Sequence, residues 1–387
     1  MPTRSRPSDS LDLLSGSGGI AFALRGIART VAYCEVSPDA RAILSGNMAR
    51  KFIDRAPIEE DVVTLDPAAP RYKHVELLAG GFPCVGISLV GQHEGLKNPQ
   101  SALFYRVVEL AAAMRPPLIF LENVSAIVNT VLAEVVAQLH GRLGYELRWT
   151  VLPAFVVGAP QIRSRWFLLA VRPGYEREWT LSRASNRPFD WSGPAPPRMV
   201  PAGSEGDGVV LRRRALGNGV VPDAVRLAFL FLASGGRVRR LGSHAPTTLK
   251  LQPMDVEGLG GGLSKAYRNG GFVTQSGERH WFPDPFADAP RPDLGLRLVP
   301  LGSGAPSNPA ISTELIKDEF RLRQWATPRY KGQGTCAVLT YRCTQDLQSQ
   351  MKFEAGTSAR RRGPGYQPSV AFMEWLMGVP PGFTLKL

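Results

Sequence analysis

The chain has 387 residues, 44% of them hydrophobic, enough for one large domain or two ordinary ones around a substantial core. Its formal net charge of +13 is uneven: residues 1–171 carry 17 Lys and Arg against 15 Asp and Glu, whereas residues 172–387 carry 29 against 18. The second half is therefore expected to meet a polyanionic partner. The cysteines are Cys34, Cys84, Cys336 and Cys343, too few for a disulfide scaffold and without metal-ligand spacing. The polar start, residues 1–10, has no signal-peptide core, and no uninterrupted apolar run approaches the roughly 20 residues of a membrane span. These features predict an intracellular protein, cytoplasmic or nuclear depending on its host, with no metal.

Residues 11–20, Leu11-Asp12-Leu13-Leu14-Ser15-Gly16-Ser17-Gly18-Gly19-Ile20, read as a strand, a glycine turn and the start of a helix. Glycines let a ligand approach the backbone, and a helix N-terminus supplies free N–H groups. The spacing of Gly16, Gly18 and Ala21, with Glu35 a strand later, also suits an adenosine-containing ligand. Glu35 would then accept the ribose hydroxyls.

Strands are predicted at 31–36, 61–65, 75–79, 118–121, 145–152 and 166–171. Between them lie helical patterns: 101–114, with Leu103, Val107, Leu110 and Met114 on one face, and 125–143, capped by Ser125 and ended by Gly144. Alternation of this kind predicts a parallel α/β sheet with ligands at the carboxyl ends of its strands.

Three further segments fall at such ends. Gly80-Gly81-Phe82-Pro83-Cys84 places a thiol there, with Pro83 fixing the backbone before it, and Gly86, Gly91 and Gly95 then suggest a mobile lid. Leu118-Ile119-Phe120-Leu121-Glu122-Asn123-Val124 ends a buried strand in a carboxylate, whose burial would raise its pKa. Gln161-Ile162-Arg163-Ser164-Arg165 precedes another strand, and its alternating arginines are expected on one face.

Beyond residue 183 the pattern changes. Residues 184–210 are rich in proline, glycine and serine and read as a linker, and 222–233 as a helix opened by Pro222. Residues 234–365 have weak periodicity and read as short strands and loops, and 369–377 as an apolar helix closed by Gly378.

In this order and spacing the glycine-rich start, Pro83-Cys84, Glu122-Asn123-Val124 and Gln161-x-Arg163-x-Arg165 resemble the DNA (cytosine-5)-methyltransferase family. Ala215-Leu216-Gly217-Asn218-Gly219-Val220-Val221-Pro222 is similar to that family's last block. Phe372-Met373-Glu374-Trp375-Leu376-Met377-Gly378 is similar to the block that normally precedes it, so the recognition region is read as rearranged.

The resemblance implies a Rossmann-like S-adenosylmethionine-dependent methyltransferase domain with a second, irregular, mostly β DNA-recognition lobe. The catalytic domain would span 1–183, completed by 211–233. The recognition domain would span 234–365, and 366–387 would pack back on the catalytic domain or hinge. The implied reaction is methylation of C5 of a flipped-out cytosine in a specific sequence of double-stranded DNA. Cys84 would add covalently to C6, Glu122 would share a proton at N3, and Arg163 would stabilise O2 with Arg165 nearby. Gln161, Ser88 and Asn123 are implied substrate contacts. The cofactor, leaving as S-adenosylhomocysteine, would be held by Asp12, Leu14, Ser15, Gly16, Gly18, Gly19, Ile20, Glu35, Val36, Asp61, Pro83, Asn218 and Val220. A monomer is expected. Val85, Ile87 and Gln100 depart from the family pattern. An NAD-type oxidoreductase would explain the glycines and Glu35 alone. An RNA-modifying relative would carry a Cys-Phe-Thr segment, which is absent.

Overall fold

The computed structural model describes residues 7–83, 96, 102–175, 178–180, 188–191, 193–197, 199–201, 203–233, 248–250, 270–273, 279–281, 325–326 and 366–386. Cys84, Ser88, Val85, Ile87, Gln100, Cys336, Cys343 and the expected lid lie outside them.

The first half alternates strands and helices. Strand β1 is Ser8–Leu13, helix α1 Gly19–Ala23, β2 Ala28–Cys34, α2 Pro38–Ala49, β3 Ile58–Glu59 and β4 Leu77–Gly81. Helix α3 is Leu103–Met114, β5 Leu118–Val124, α4 Ile127–Thr130, α5 Leu132–Val136, β6 Glu146–Leu152, β7 Gln161–Ile162 and β8 Arg165–Val171. Seven strands stand in the order β6-β8-β5-β4-β1-β2-β3. The expected α/β sheet is thus present, with one difference. Strand β8 runs antiparallel to both β5 and β6, so the sheet is mixed. The link from β6 to β8 contains no α-helix, and a parallel return would need a longer crossover.

Two other expectations are corrected. Residues 61–65 do not form a strand: Asp61 takes the Val63 amide at 2.9 Å and bends the chain into a turn after the two-residue β3. The helix expected over 125–143 is broken into α4, α5 and a π-turn at Ala137–Arg142, and Ser125 does not cap it. Thr130 donates its hydroxyl back to the Ala126 carbonyl at 3.0 Å, a competing bond that favours interruption.

Period-two alternation sorts the strand residues to two faces. Ile119 and Leu121 of β5 join Leu11, Leu13 and Leu78 against α3 and α5. Leu118 and Phe120 join Leu77, Phe167 and Leu169 against α1 and helix α7, Pro222–Ala233. Helix α6, Val209–Asn218, precedes α7. Among the described residues, 209–233 is one stretch long and apolar enough to cross a membrane, but 67% of its apolar window is buried in the fold. It is a core element interrupted at Gly219.

The later strands attach to this body. Strand β9, Glu178–Thr180, pairs with β11, Thr248–Lys250. Strand β12, Gly270–Val273, adds antiparallel to β6 and is followed in the sheet by β13, Arg279–Trp281. Strand β14, Trp325–Ala326, lies parallel to β7. Within the stretch read as a linker, β10, Met199–Pro201, pairs with β15, Tyr366–Pro368.

The C-terminal helix α8, Val370–Leu376, opens on Ser369, whose hydroxyl accepts the Phe372 amide at 3.3 Å. Gly378 at φ +66° leaves it in the left-handed region. Its apolar face and Phe383 pack with Phe22, Tyr33, Leu44, Ile53, Leu216 and Val221 in a third core cluster. Glu374, only 2% exposed, pairs with Arg212 at 3.0 Å and accepts the Gly382 and Thr384 amides. The Trp191 indole donates to the Trp375 carbonyl at 2.9 Å.

Candidate active site

The strand order reverses between β1 and β4, and the glycine turn leaves the carboxyl end of β1 there. The turn winds through left-handed backbone at Leu14, Gly16 and Gly18, with φ of +53°, +56° and +81°. Glycine carries that conformation without strain, whereas Leu14 adopts it at a cost. Ser15 stitches the turn to the sheet, donating its hydroxyl to the Asp12 carbonyl at 2.6 Å and its amide to the Cys34 carbonyl. Asn47 of α2, which no sequence motif flagged, donates to the Ser17 carbonyl at 3.0 Å. A side chain on Gly18 would press on Leu44 and Ile53, and one on Gly19 would collide with Val220 at 2.8 Å. Gly16 faces open space. Ile20 is buried beneath the turn.

Glu35 follows β2 and braces the turn. One carboxylate oxygen accepts the Gly16 amide at 2.7 Å and the other the Ser37 amide at 2.8 Å. Each oxygen keeps a second lone pair for a ligand hydroxyl. Val36 beside it is 62% exposed, and Val63, two residues beyond Asp61, is 55% exposed. These are apolar surfaces at the ends of β2 and β3. Asp12 is different: it is 2% exposed, and neither carboxylate oxygen makes a hydrogen bond of ordinary geometry among the described residues. Burial, with Glu35 adding repulsion, holds its pKa well above the usual carboxylate range, and the Ala21 amide only partly opposes this.

At the end of β4, Gly80 lies so close to Leu13 that a Cβ would stand 2.6 Å from its carbonyl oxygen. A Cβ on Gly81 would stand 2.9 Å from the Glu122 carboxylate. The glycine pair thus lets β4 approach its neighbours on both sides and keeps Glu122 at the strand end. Asn123 donates its side-chain amide to the Phe82 carbonyl at 3.0 Å, one residue before Pro83, the last described residue before Cys84.

Glu122 is paired with the Arg165 guanidinium at 3.1 Å. Burial raises its pKa, while Arg165 and then Arg163 pull it back. Burial thus favours the acid form of this carboxyl and its cations the ionised form, an arrangement suited to exchanging a proton with a ligand.

The two arginines, expected on one face, have different hydrogen-bond and ion-pair partners. Arg163 precedes β8, so the pleat does not govern it. It is 2% exposed and donates to the carbonyls of Gly217, at 2.9 Å, and Gly219. Gln161, fully buried, donates to the Leu376 carbonyl at 2.6 Å. Arg165 thus makes the ion pair with the carboxylate, while Arg163 acts on it electrostatically. Asn218, the last residue of α6, is exposed, and Val220, two residues on, is buried. Cys34, the cysteine among the described residues, is buried, and burial pushes its thiol up to about 12, which makes it inert at neutral pH. No group of three His, Cys, Asp or Glu converges as a metal site among the described residues.

A family described as C-5 cytosine-specific DNA methylase matches residues 9–198. The chain is 29% identical over 381 residues to the Type II methyltransferase M.CviJI of Paramecium bursaria Chlorella virus IL3A, covering 95% of each. It is 32% identical over 168 residues to M.MspI of Moraxella sp, which is 41% of this chain and 38% of that one. It is 33% identical over 168 residues to M2.BsuMI of Bacillus subtilis, at 41% of each. The match thus runs nearly end to end with the viral enzyme and spans about two-fifths of the two bacterial ones.

Proposed function

The chain belongs to the C-5 cytosine-specific DNA methylase family, and from that premise we propose that it methylates C5 of a flipped-out cytosine in a specific sequence of double-stranded DNA, working as a monomer. The observation that carries this reading is the Glu122–Arg165 pair at 3.1 Å, held at a strand end beside the segment that Asn123 fixes ahead of Cys84.

Each residue type has a reason. C5 of cytosine is a weak nucleophile, and a thiolate adding at C6 turns the ring into an enamine-like species reactive at C5. Cys84 is that thiol. Glu122, with its pKa raised by burial, shares a proton with N3 as charge builds on the ring. Arg165, paired with Glu122, steadies the carboxylate and, in this proposal, takes the ring oxygen. Loss of the C5 proton then releases Cys84. The stacked base is inaccessible to these groups, so it must leave the duplex.

The residues fit S-adenosylmethionine. Open space in front of Gly16, free lone pairs on Glu35 and exposed Val36 suit an adenosine, and a cation near Asp12 would offset that buried carboxylate. When bound, this cofactor supplies an activated methyl group and leaves as S-adenosylhomocysteine. Leu14, Ser15, Gly18, Gly19 and Ile20 shape its cradle, with Asp61, Pro83, Asn218 and Val220 around it. Gln161 and Asn123 act by holding backbone, as their hydrogen bonds indicate.

Transfer of radiolabelled methyl groups to duplex DNA and to RNA tests the proposal. Label should enter DNA cytosine with the wild-type protein and fail to enter with Cys84→Ala, although the variant still binds cofactor. Label in RNA alone, or full transfer by Cys84→Ala, would refute it.

A further inference from the structure

We infer that Arg163 is a positioning residue that clamps the 217–220 turn against the glycine loop and so sets cofactor affinity, instead of contacting the base. The inference rests on the methyltransferase reading above and goes beyond it in giving this arginine its own task.

The carbonyls that Arg163 takes, those of Gly217 and Gly219, belong to the end of α6. The last carbonyls of a helix lack intrahelical partners and carry the negative end of its dipole. One guanidinium satisfies both of them, and Asn218 lies between the two clamped residues. Immediately afterwards, Val220 is buried with Cγ2 at 2.8 Å from where a Gly19 side chain would begin. The clamp therefore fixes how Val220 seats on the first residue of α1, directly behind the turn that would hold the cofactor. Two residues along, Arg165 is engaged with Glu122. One short stretch, Arg163 to Arg165 at the start of β8, thus links the base-side acid to the turn that closes the cofactor side. A single guanidinium nitrogen of Arg163, Nη2, reaches both carbonyls, and a lysine would keep the charge but end one atom short of that position.

The test uses full-length protein with Arg163→Lys and Arg163→Met, binding of S-adenosylhomocysteine by calorimetry, and methylation kinetics. Both variants should bind S-adenosylhomocysteine at least about tenfold more weakly, while Arg163→Lys, which keeps the positive charge, should hold kcat at saturating cofactor within roughly threefold of wild type. Unchanged cofactor affinity with kcat reduced by about a hundredfold would overturn the clamp and return Arg163 to the base. If the Arg163 variants do not fold, Gly219→Ala strains the same turn, because its Cβ would stand 3.0 Å from the Ala215 carbonyl oxygen. That variant should weaken cofactor binding in a protein that still folds, and unchanged binding would count against the clamp. Wild-type protein that binds no S-adenosylhomocysteine would instead overturn the reading of the site itself.

Discussion

The side-chain amide of Asn123 donates to the Phe82 carbonyl at 3.0 Å, tying the end of β5 to the segment that leads into Pro83 and Cys84. Both residues are buried, so the bond is shielded from water and the carbonyl has no ready replacement. Asn123→Ala should cost about 1–3 kcal/mol in stability and lower kcat more than tenfold, by loosening the approach to the thiol. Cofactor affinity should hold. Calorimetry, denaturant melts and methylation rates read the three quantities, and a normal kcat in a folded variant would show that the bond serves stability alone.

The fold was legible where the pattern was local. In β5, Leu118 and Phe120 face one layer and Ile119 and Leu121 the other, as alternation requires. The pattern misled at 61–65, where Val62, Val63 and Leu65 look like a strand but Asp61 captures the Val63 amide and makes a turn. The site residues were legible as strand-end motifs. Their partners were not, because Gln161 meets Leu376 across 215 positions and Arg163 meets Gly219 across 56. No local period encodes such pairs.

Glu122 gives a pH test. Burial raises its pKa and Arg165 lowers it, so removing the guanidinium should raise it further. The acid form would then persist to higher pH. Arg165→Gln should lower kcat overall and move the alkaline limb of its pH profile upward. An unmoved limb would mean that Glu122 does not govern it.

Asp12 gives a test on stability. Its pKa in the folded protein lies well above the ordinary 3.8, so the folded chain binds more protons than the unfolded one above that value. Stability should fall as pH rises from about 3.8 through the raised pKa. Asp12→Asn removes this loss, and its melting temperature should match wild type in acid and exceed it near neutral pH without cofactor. Parallel melting curves at all pH values would contradict the buried, uncompensated carboxylate.

Glu374 anchors the C-terminal segment through Arg212, Thr384 and Gly382. Glu374→Ala removes the carboxylate that accepts from Arg212 Nη2, two amides and the Thr384 hydroxyl and should cost about 3–5 kcal/mol. Removing everything after Gly365 should destabilise the whole protein, since it also exposes the face of Phe22, Leu44 and Val221. A truncated protein with an unchanged melting temperature would show that the segment is dispensable.

The most direct test of covalent cytosine methylation is trapping on duplex DNA containing 5-fluorocytosine, followed by peptide mapping in a mass spectrometer. Fluorine at C5 cannot leave as a proton, so the enzyme should stall as a stable adduct. The account predicts one DNA-bearing peptide containing Cys84, with a methyl group added to the base and none trapped by Cys84→Ala. Methylation of ordinary DNA with no trapped adduct, or an adduct on another residue, would contradict it.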